Sequence, residues 1–154
     1  MILREAVAAD APDILRLYQI LAPGDRHLAV TPERIGQIAA DPNNFLFIVE
    51  ENGAVWATAF LTLCLDPMYG TLPYAVLENL VVDPAWRGRG YGRFVVEAIE
   101  AFCWRHHCTK IMLFSSTFRR GAHQFFSRLG FARDKKLAFV KYRLEEYEAV
   151  DPGL

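Results

Sequence analysis

The stretch Glu78-Asn79-Leu80-Val81-Val82-Asp83-Pro84-Ala85-Trp86-Arg87-Gly88-Arg89-Gly90-Tyr91-Gly92-Arg93 narrows the folds open to this chain more than any other. It reads as an apolar strand, a short proline-containing connection, and a turn of glycine and arginine that opens a helix. Gly88, Gly90 and Gly92 alternate with Arg89 and Tyr91, and Arg87 and Arg93 flank them. Glycine lets the backbone turn sharply and approach a ligand with no Cβ in the way. The free amides at the start of a helix, with its dipole, suit an anion and above all a phosphate. The stretch therefore reads as a pyrophosphate cradle.

Two phosphate loops are excluded by position. A P-loop needs Gly-Lys-Ser/Thr, which does not occur here. A dinucleotide fingerprint needs GxGxxG, but after Gly88 and Gly90 the third position is Arg93. The bland alternative is a turn that only connects strand to helix. Against it, the flanking arginines crowd positive charge at the helix end that disfavours it.

The chain has 154 residues, 53% hydrophobic and 23% charged, so it is long and apolar enough for one domain with a full core. Its net charge of −1 argues against a nucleic-acid partner, since such proteins carry a basic excess. Cys64, Cys103 and Cys108 form no CxxC, which suggests free buried thiols in a reducing compartment. No stretch is long enough to span a membrane and no leader pattern opens the chain, so the expected location is cytoplasmic.

In chain order, Ile2 to Ala6 suits a strand. Asp10-Ala11-Pro12-Asp13 starts a helix with Asp10 as its cap, and Ile14, Leu17, Tyr18 and Leu21 recur at helical spacing. Thr31-Pro32-Glu33 starts a second, short helix. Residues 44–50 and 54–65 are strands joined at Glu51-Asn52-Gly53, hence antiparallel. Residues 75–82 form the strand that feeds the glycine turn, and the helix after it runs from about Tyr91 to His106. Tyr91, Val95, Ala98, Ile99 and Phe102 form its inner stripe. Residues 110–115 are the next strand, parallel to 75–82 by a crossover. A short helix spans 121–129 and stops at Gly130. Residues 131–136 and 137–144 are expected as two final strands. The fold class is α/β with a mixed (α+β) sheet, in one domain over 1–145 with a tail over 146–154.

These residues resemble a family. Arg87-Gly88-Arg89-Gly90-Tyr91-Gly92 matches the Arg/Gln-x-x-Gly-x-Gly/Ala signature of the GCN5-related N-acetyltransferases (GNAT). Leu80-Val81-Val82-Asp83-Pro84 looks like that family's central strand and its exit. Ala122-His123-Gln124-Phe125-Phe126-Ser127-Arg128-Leu129-Gly130-Phe131 looks like its second common block. The resemblance implies acetyl-CoA as donor, an amine of a small molecule or peptide as acceptor, direct transfer and no metal. It implies that the amides of Gly88, Arg89, Gly90, Tyr91, Gly92 and Arg93, beside Arg87, surround the CoA pyrophosphate. It implies that Leu80, Val81 and Val82 pair with the pantetheine arm, in a gap where 75–82 and 110–115 splay apart. Arg119 and Phe126 fall at further cofactor-contacting positions, and dimers are common in the family, so a homodimer is among the expected assemblies.

The chemistry sets its own demands. A primary alkylamine, with a pKa near 10.4, is neutral in about one molecule in 10³ to 10⁴ at pH 7, and only the neutral form attacks a thioester. A base must take the proton. Glu78 is the candidate. By alternation it points to the same side as Leu80 and Val82, and an apolar strand carries a carboxylate at a cost unless it is solvated or used. The alternative is a rim glutamate held by an arginine. Backbone amides near Val82 could face the thioester oxygen. Many family members have Tyr at the position of Phe126, which has no proton to give; either the thiolate leaves unassisted or Ser115, Ser116 or His123 helps. Arg119 and Arg120 are either phosphate ligands or a solvated pair. Acceptor specificity is expected from residues 22–30, 66–74 and the final hairpin, with Asp25, Arg26, His27, Asp66, Tyr69 and Tyr74 as candidates. The other classes of function are a non-catalytic acyl-CoA-binding or sensor domain of the same fold and a protein-interaction module with a vestigial site.

Overall fold

A computed structural model describes residues 1–151. Among these the elements run β1 (Ile2–Glu5), α1 (Ala11–Leu21), α2 (Pro32–Ala39), β2 (Asn44–Glu51), β3 (Ala54–Cys64), β4 (Tyr74–Val82), α3 (Tyr91–Arg105), β5 (Ile111–Leu113) and α4 (Arg120–Arg128). The strands form one mixed sheet in the order β1-β2-β3-β4-β5. All neighbours are antiparallel except β4 and β5, which are parallel, as the crossover through α3 demands. The chain divides into two compact units, residues 1–113 and 114–154.

The first unit holds the whole sheet. Asn52 and Gly53 both take positive φ (53° and 79°), the backbone that a two-residue hairpin between right-twisted strands requires. Alternation along β2 sends Phe47 and Val49 to one face and Leu46 and Ile48 to the other. The first face packs on Val95, Ile99 and Cys103 of α3. The second packs on Ile14 and Leu17 of α1 and Ile35 of α2. The buried stripe of α3 is Val95, Val96, Ile99 and Cys103; Tyr91, Ala98 and Phe102 are only half-buried. Cys103 and Cys108 are buried free thiols, and burial pushes the Cys103 thiol up to about 12.

Two expectations are corrected. Asp10 does not cap α1 with its side chain. Its carboxylate turns back to accept hydrogen bonds from both ends of the Arg4 guanidinium (2.8 and 3.0 Å) and from the Val7 amide (2.7 Å). A bidentate guanidinium outbids a single helix amide. The second correction concerns residues 131–144, where no strand forms among the described residues. Arg133, Asp134, Lys135 and Lys136 are four successive charged residues, poor strand formers. Leu137, Phe139 and Val140 are 82, 90 and 73% exposed, so apolar patterning there is not accompanied by a ladder or a core to hold it. The second unit is otherwise local: α4 ends as the Gly130 amide donates to the Ser127 carbonyl and the Phe131 amide to the Phe126 carbonyl, with Gly130 at φ 90°.

The Arg4 guanidinium and the Val7 amide hold the Asp10 carboxyl below its ordinary value. A carboxylate depressed in the folded state contributes stability above its unfolded pKa, and that contribution is lost as pH falls through the folded value. Asp10→Asn should therefore lower stability at pH 7 by about 1.5–3 kcal/mol. The difference from the parent chain should shrink as pH drops below about 4, measured by urea unfolding across pH.

Candidate functional site

The site is built around the C-terminal end of β4, and two extra residues in the ladder shape it. In β3, Val55 pairs with Glu50 and Ala57 with Val49, so Trp56 is an insertion. In β4, Glu78 pairs with Phe60 and Val81 with Thr58, so Asn79 and Leu80 together oppose Ala59. Asn79 adopts φ 51°, a left-handed backbone that Asn tolerates better than most residues. Each insertion is a β-bulge, which shifts alternation by one residue.

The first bulge supports the glycine turn. Trp56, fully buried, stacks on Trp86 at 5.4 Å and packs on Tyr91 at 5.1 Å, and Trp86 meets Tyr91 edge to face at 5.4 Å. The two ends of the turn, Trp86 and Tyr91, thus rest on one indole. Polar contacts fix the entry. Arg16 of α1 donates to Asp83 at 2.6 Å and to the Val55 carbonyl at 2.6 Å. Asp83 accepts from the Ala85 amide at 3.0 Å, and Arg87 Nε donates to the Val82 carbonyl at 2.9 Å. The Ala85 amide and Arg16 hold the Asp83 carboxyl below its ordinary value.

Between these anchors the turn is open. Gly88 and Gly90 take φ 78° and 83°, and Gly90 is the residue before α3. The first intrahelical bond runs from the Phe94 amide to the Gly90 carbonyl at 3.1 Å. Among the described residues, no hydrogen bond is donated by the amides of residues 88–93. Arg89 and Arg93 are exposed, and Arg93 bonds Glu97 at 3.1 Å. Six successive open amides at a helix start, with arginines alongside, are the donor set a diphosphate needs. Tyr91 contributes its backbone here, because its ring is taken up by the tryptophans.

The second bulge corrects the orientation of Glu78. Leu77 packs on the α3 side of the sheet, and so do Leu80 and Val82 after the bulge. Val81 packs on the α1 and α2 side, as does Phe60, the direct partner of Glu78. Glu78 therefore faces away from Leu80 and Val82, because the inserted Asn79 reverses the simple alternation. It is exposed and, among the described residues, has no ion-pair partner. No arginine holds it.

The edge of β4 is open where Glu78 sits. Pairing with β5 covers Ala75, Val76 and Leu77 and stops there, while β4 continues to Val82. With β5 ending at Leu113, one edge of Glu78 to Val82 is left unpaired by β5. On the face that carries Glu78 lies a groove of about 440 Å³. Its walls include Ile14 and Tyr18 of α1, Ile35 and Ile38 of α2, Phe60 of β3 and Asn79 of β4. Burial pushes the Tyr18 hydroxyl up to about 12, offset in part by the Asn79 side chain that reaches it. Tyr18 thus remains a phenol near neutral pH.

Sequence reasoning missed Tyr18, Phe60 and Asn79. Tyr18 is one of a helical apolar stripe, and Phe60 is one of a run of strand residues. Asn79, a polar residue within an apolar strand, was the available signal. Of the expected acceptor segments, Ala29 and Val30 line the groove. Asp25 and Asp66 instead accept from the amides of His27 and Met68, and hold local turns.

In the second unit, the Phe126 ring packs edge to face with Phe125 (5.2 Å) and Phe131 (5.7 Å). Arg119 lies with its guanidinium carbon 5.7 Å from the Phe118 ring centre, and burial lowers its pKa. His123 Nε2 lies 3.0 Å from the Ser116 carbonyl, which can only accept, so that nitrogen carries the proton and donates it. Among the described residues no cluster of His, Cys, Asp or Glu is suited to a metal ion, and no helix is long and apolar enough to cross a membrane.

The sequence profile described as the acetyltransferase (GNAT) family matches residues 11–131. A curated relative, aminoglycoside N(6')-acetyltransferase type 1 of Stenotrophomonas maltophilia, is 28% identical over 93% of this chain and 94% of its own. A solved structure of a putative acetyltransferase from Agrobacterium tumefaciens is 33% identical, covers 92% of this chain and 100% of its own, and superposes with a TM-score of 0.83. An aminoglycoside acetyltransferase from an uncultured soil metagenomic sample shares the fold at a TM-score of 0.80 with 15% identity, over 93% of this chain and 95% of its own.

Because an added Cβ at Gly90 meets no atom within 4 Å, its constraint is the positive φ alone. Gly90→Val should cost about 1–2 kcal/mol in urea unfolding, and Gly90→Asn distinctly less, since Asn visits this backbone region.

Proposed function

The chain belongs to the acetyltransferase (GNAT) family, and from that premise we propose that it transfers an acetyl group from acetyl-CoA to a primary amine of a small molecule by direct attack. The observation that carries the reading is the run of open amides over residues 88–93 at the start of α3. Those amides, with Arg89, Arg93 and the remaining nitrogens of Arg87, hold the diphosphate. Acetyl-CoA, when bound, supplies an activated thioester. The open edge of β4 over Leu80, Val81 and Val82 offers backbone groups to an extended ligand, as a neighbouring strand would. Glu78 takes the proton from the attacking amine, directly or through water, on the face where the groove lies. Its exposure suits this task, because a solvated carboxylate can pass the proton on. The curated relative is named for acting on an aminoglycoside, a small-molecule amine, which favours a small acceptor over a peptide.

A second reading, a domain that binds acyl-CoA without turnover, rests on two observations. Phe126 has no hydroxyl, and the Nε2 proton of His123 is committed to the Ser116 carbonyl. Turnover on any amine, read as thiol release at saturating acetyl-CoA, decides between the two.

Glu78→Gln should lower kcat/KM by about 10²-fold at pH 7 and progressively less at high pH, where the amine loses its proton unaided. An equal loss at every pH would remove Glu78 as the base. Gly90→Val should weaken CoA binding at least about tenfold, or 1.4 kcal/mol, by calorimetric titration of the folded variant. An unchanged affinity would remove the cradle.

A further inference from the structure

The groove on the Glu78 face carries information about the acceptor that the family does not. Its inner walls are aliphatic and aromatic: Ile14, Ile35 and Leu46 are 0, 2 and 6% exposed, with Phe60 and Ile38 half-buried beside them. Several of its polar groups have a partner within the protein, while the side chains of Arg34 and Gln37 lie exposed at its rim. Thr31 Oγ1 accepts from the Arg34 amide at 3.2 Å, and Asp41 Oδ1 accepts from the Asn43 amide at 2.8 Å. Asn44 Oδ1 accepts from the Thr62 hydroxyl at 2.8 Å, and the Asn79 side chain reaches the Tyr18 hydroxyl. The charged residues on the lining are Asp41 and Arg34, both exposed, and their charges cancel.

Such a wall is poor at holding many charges or hydroxyls. A polycation needs several carboxylates to replace its hydration, and the lining itself carries Asp41 alone, together with the Arg34 guanidinium. An amino sugar would leave hydroxyls unpaired against isoleucine and phenylalanine. An alkyl or aryl body gains instead, because its apolar surface is removed from water against an apolar wall. The groove volume, about 440 Å³, lies in the range of small-molecule sites. Phe60 and Asn79 line the groove, and they are the cross-strand partner and the chain neighbour of Glu78, the group that receives the amine proton.

We propose that the acceptor is a monoamine with an apolar alkyl or aryl body, seated in the groove between α1, α2 and β2–β4 with its amino group toward Glu78, rather than a polyamine or amino sugar. This rests on the acetyltransferase reading above and narrows it to a substrate class. Tyr18, Ile38 and Phe60 then determine specificity.

The test uses the full chain with saturating acetyl-CoA and follows thiol release with 2-phenylethylamine and hexylamine against spermidine and kanamycin. CoA binding is titrated in parallel. The expected result is a kcat/KM for the apolar monoamines at least tenfold above those for spermidine and kanamycin. Ile38→Asp should lower the 2-phenylethylamine value at least tenfold, mostly through KM, with CoA affinity unmoved. Equal or better turnover of spermidine or kanamycin overturns the substrate class and leaves the acetyltransferase reading standing. CoA binding without turnover of any of the four amines also overturns it, and favours the sensor reading. Absence of CoA binding overturns both readings together.

Discussion

The residue inserted into β4 at Asn79 is the constraint on which the rest of the site depends. A strand without it would keep one alternation from Tyr74 to Val82. Glu78 would then share a face with Leu80 and Val82 and press a carboxylate toward the apolar packing against α3. With Asn79 at φ 51°, the strand places Leu77, Leu80 and Val82 on the α3 core and leaves Glu78 exposed on the other face. One unpaired backbone unit thus reconciles a continuous core with an accessible carboxylate. It also turns the carboxylate to the face on which the groove lies, with Asn79 itself in the groove wall.

A second insertion, Trp56 in β3, does the complementary work for the glycine turn. A glycine turn with positive φ at two positions has little side-chain packing of its own. Here its ends, Trp86 and Tyr91, converge on a buried indole. Arg16 and Asp83 fasten the strand exit from the side of α1. The amides of residues 88–93 are therefore held in place by groups outside the turn. Preorganised backbone dipoles cost nothing further to orient when an anion arrives, which is why such a support has chemical value. The Trp56 indole N–H is buried without a partner among the described residues, a local cost borne by this arrangement.

The glycine turn continues β4 into α3, while Glu78 and the groove lie toward α1 and α2. The early end of the β4 and β5 pairing at Leu77 and Leu113 opens the edge between them. Under the proposed function, the thioester and the amine would meet at this open edge.

The local alphabet of the chain was enough to determine the element order as far as α4, the antiparallel hairpin at Asn52-Gly53, the parallel crossover and the glycine turn. Each follows from short-range rules: apolar periodicity, positive φ at glycine and asparagine, and proline near helix starts. The family signature over residues 87–92 and 122–131 is equally local. What only the tertiary structure decided depends on partners distant in sequence. Asp10 abandons the helix cap because Arg4 and Val7 offer better hydrogen bonds. Residues 131–144 have strand-like stretches but no ladder, because a strand exists only where another backbone meets it. Glu78 changes face because the register opposite Ala59 accommodates an extra residue, which no pattern within β4 announces. Tyr18, Phe60 and Asn79 line one groove because three elements converge there, and a stripe residue is not a ligand wall until the neighbouring element leaves it uncovered.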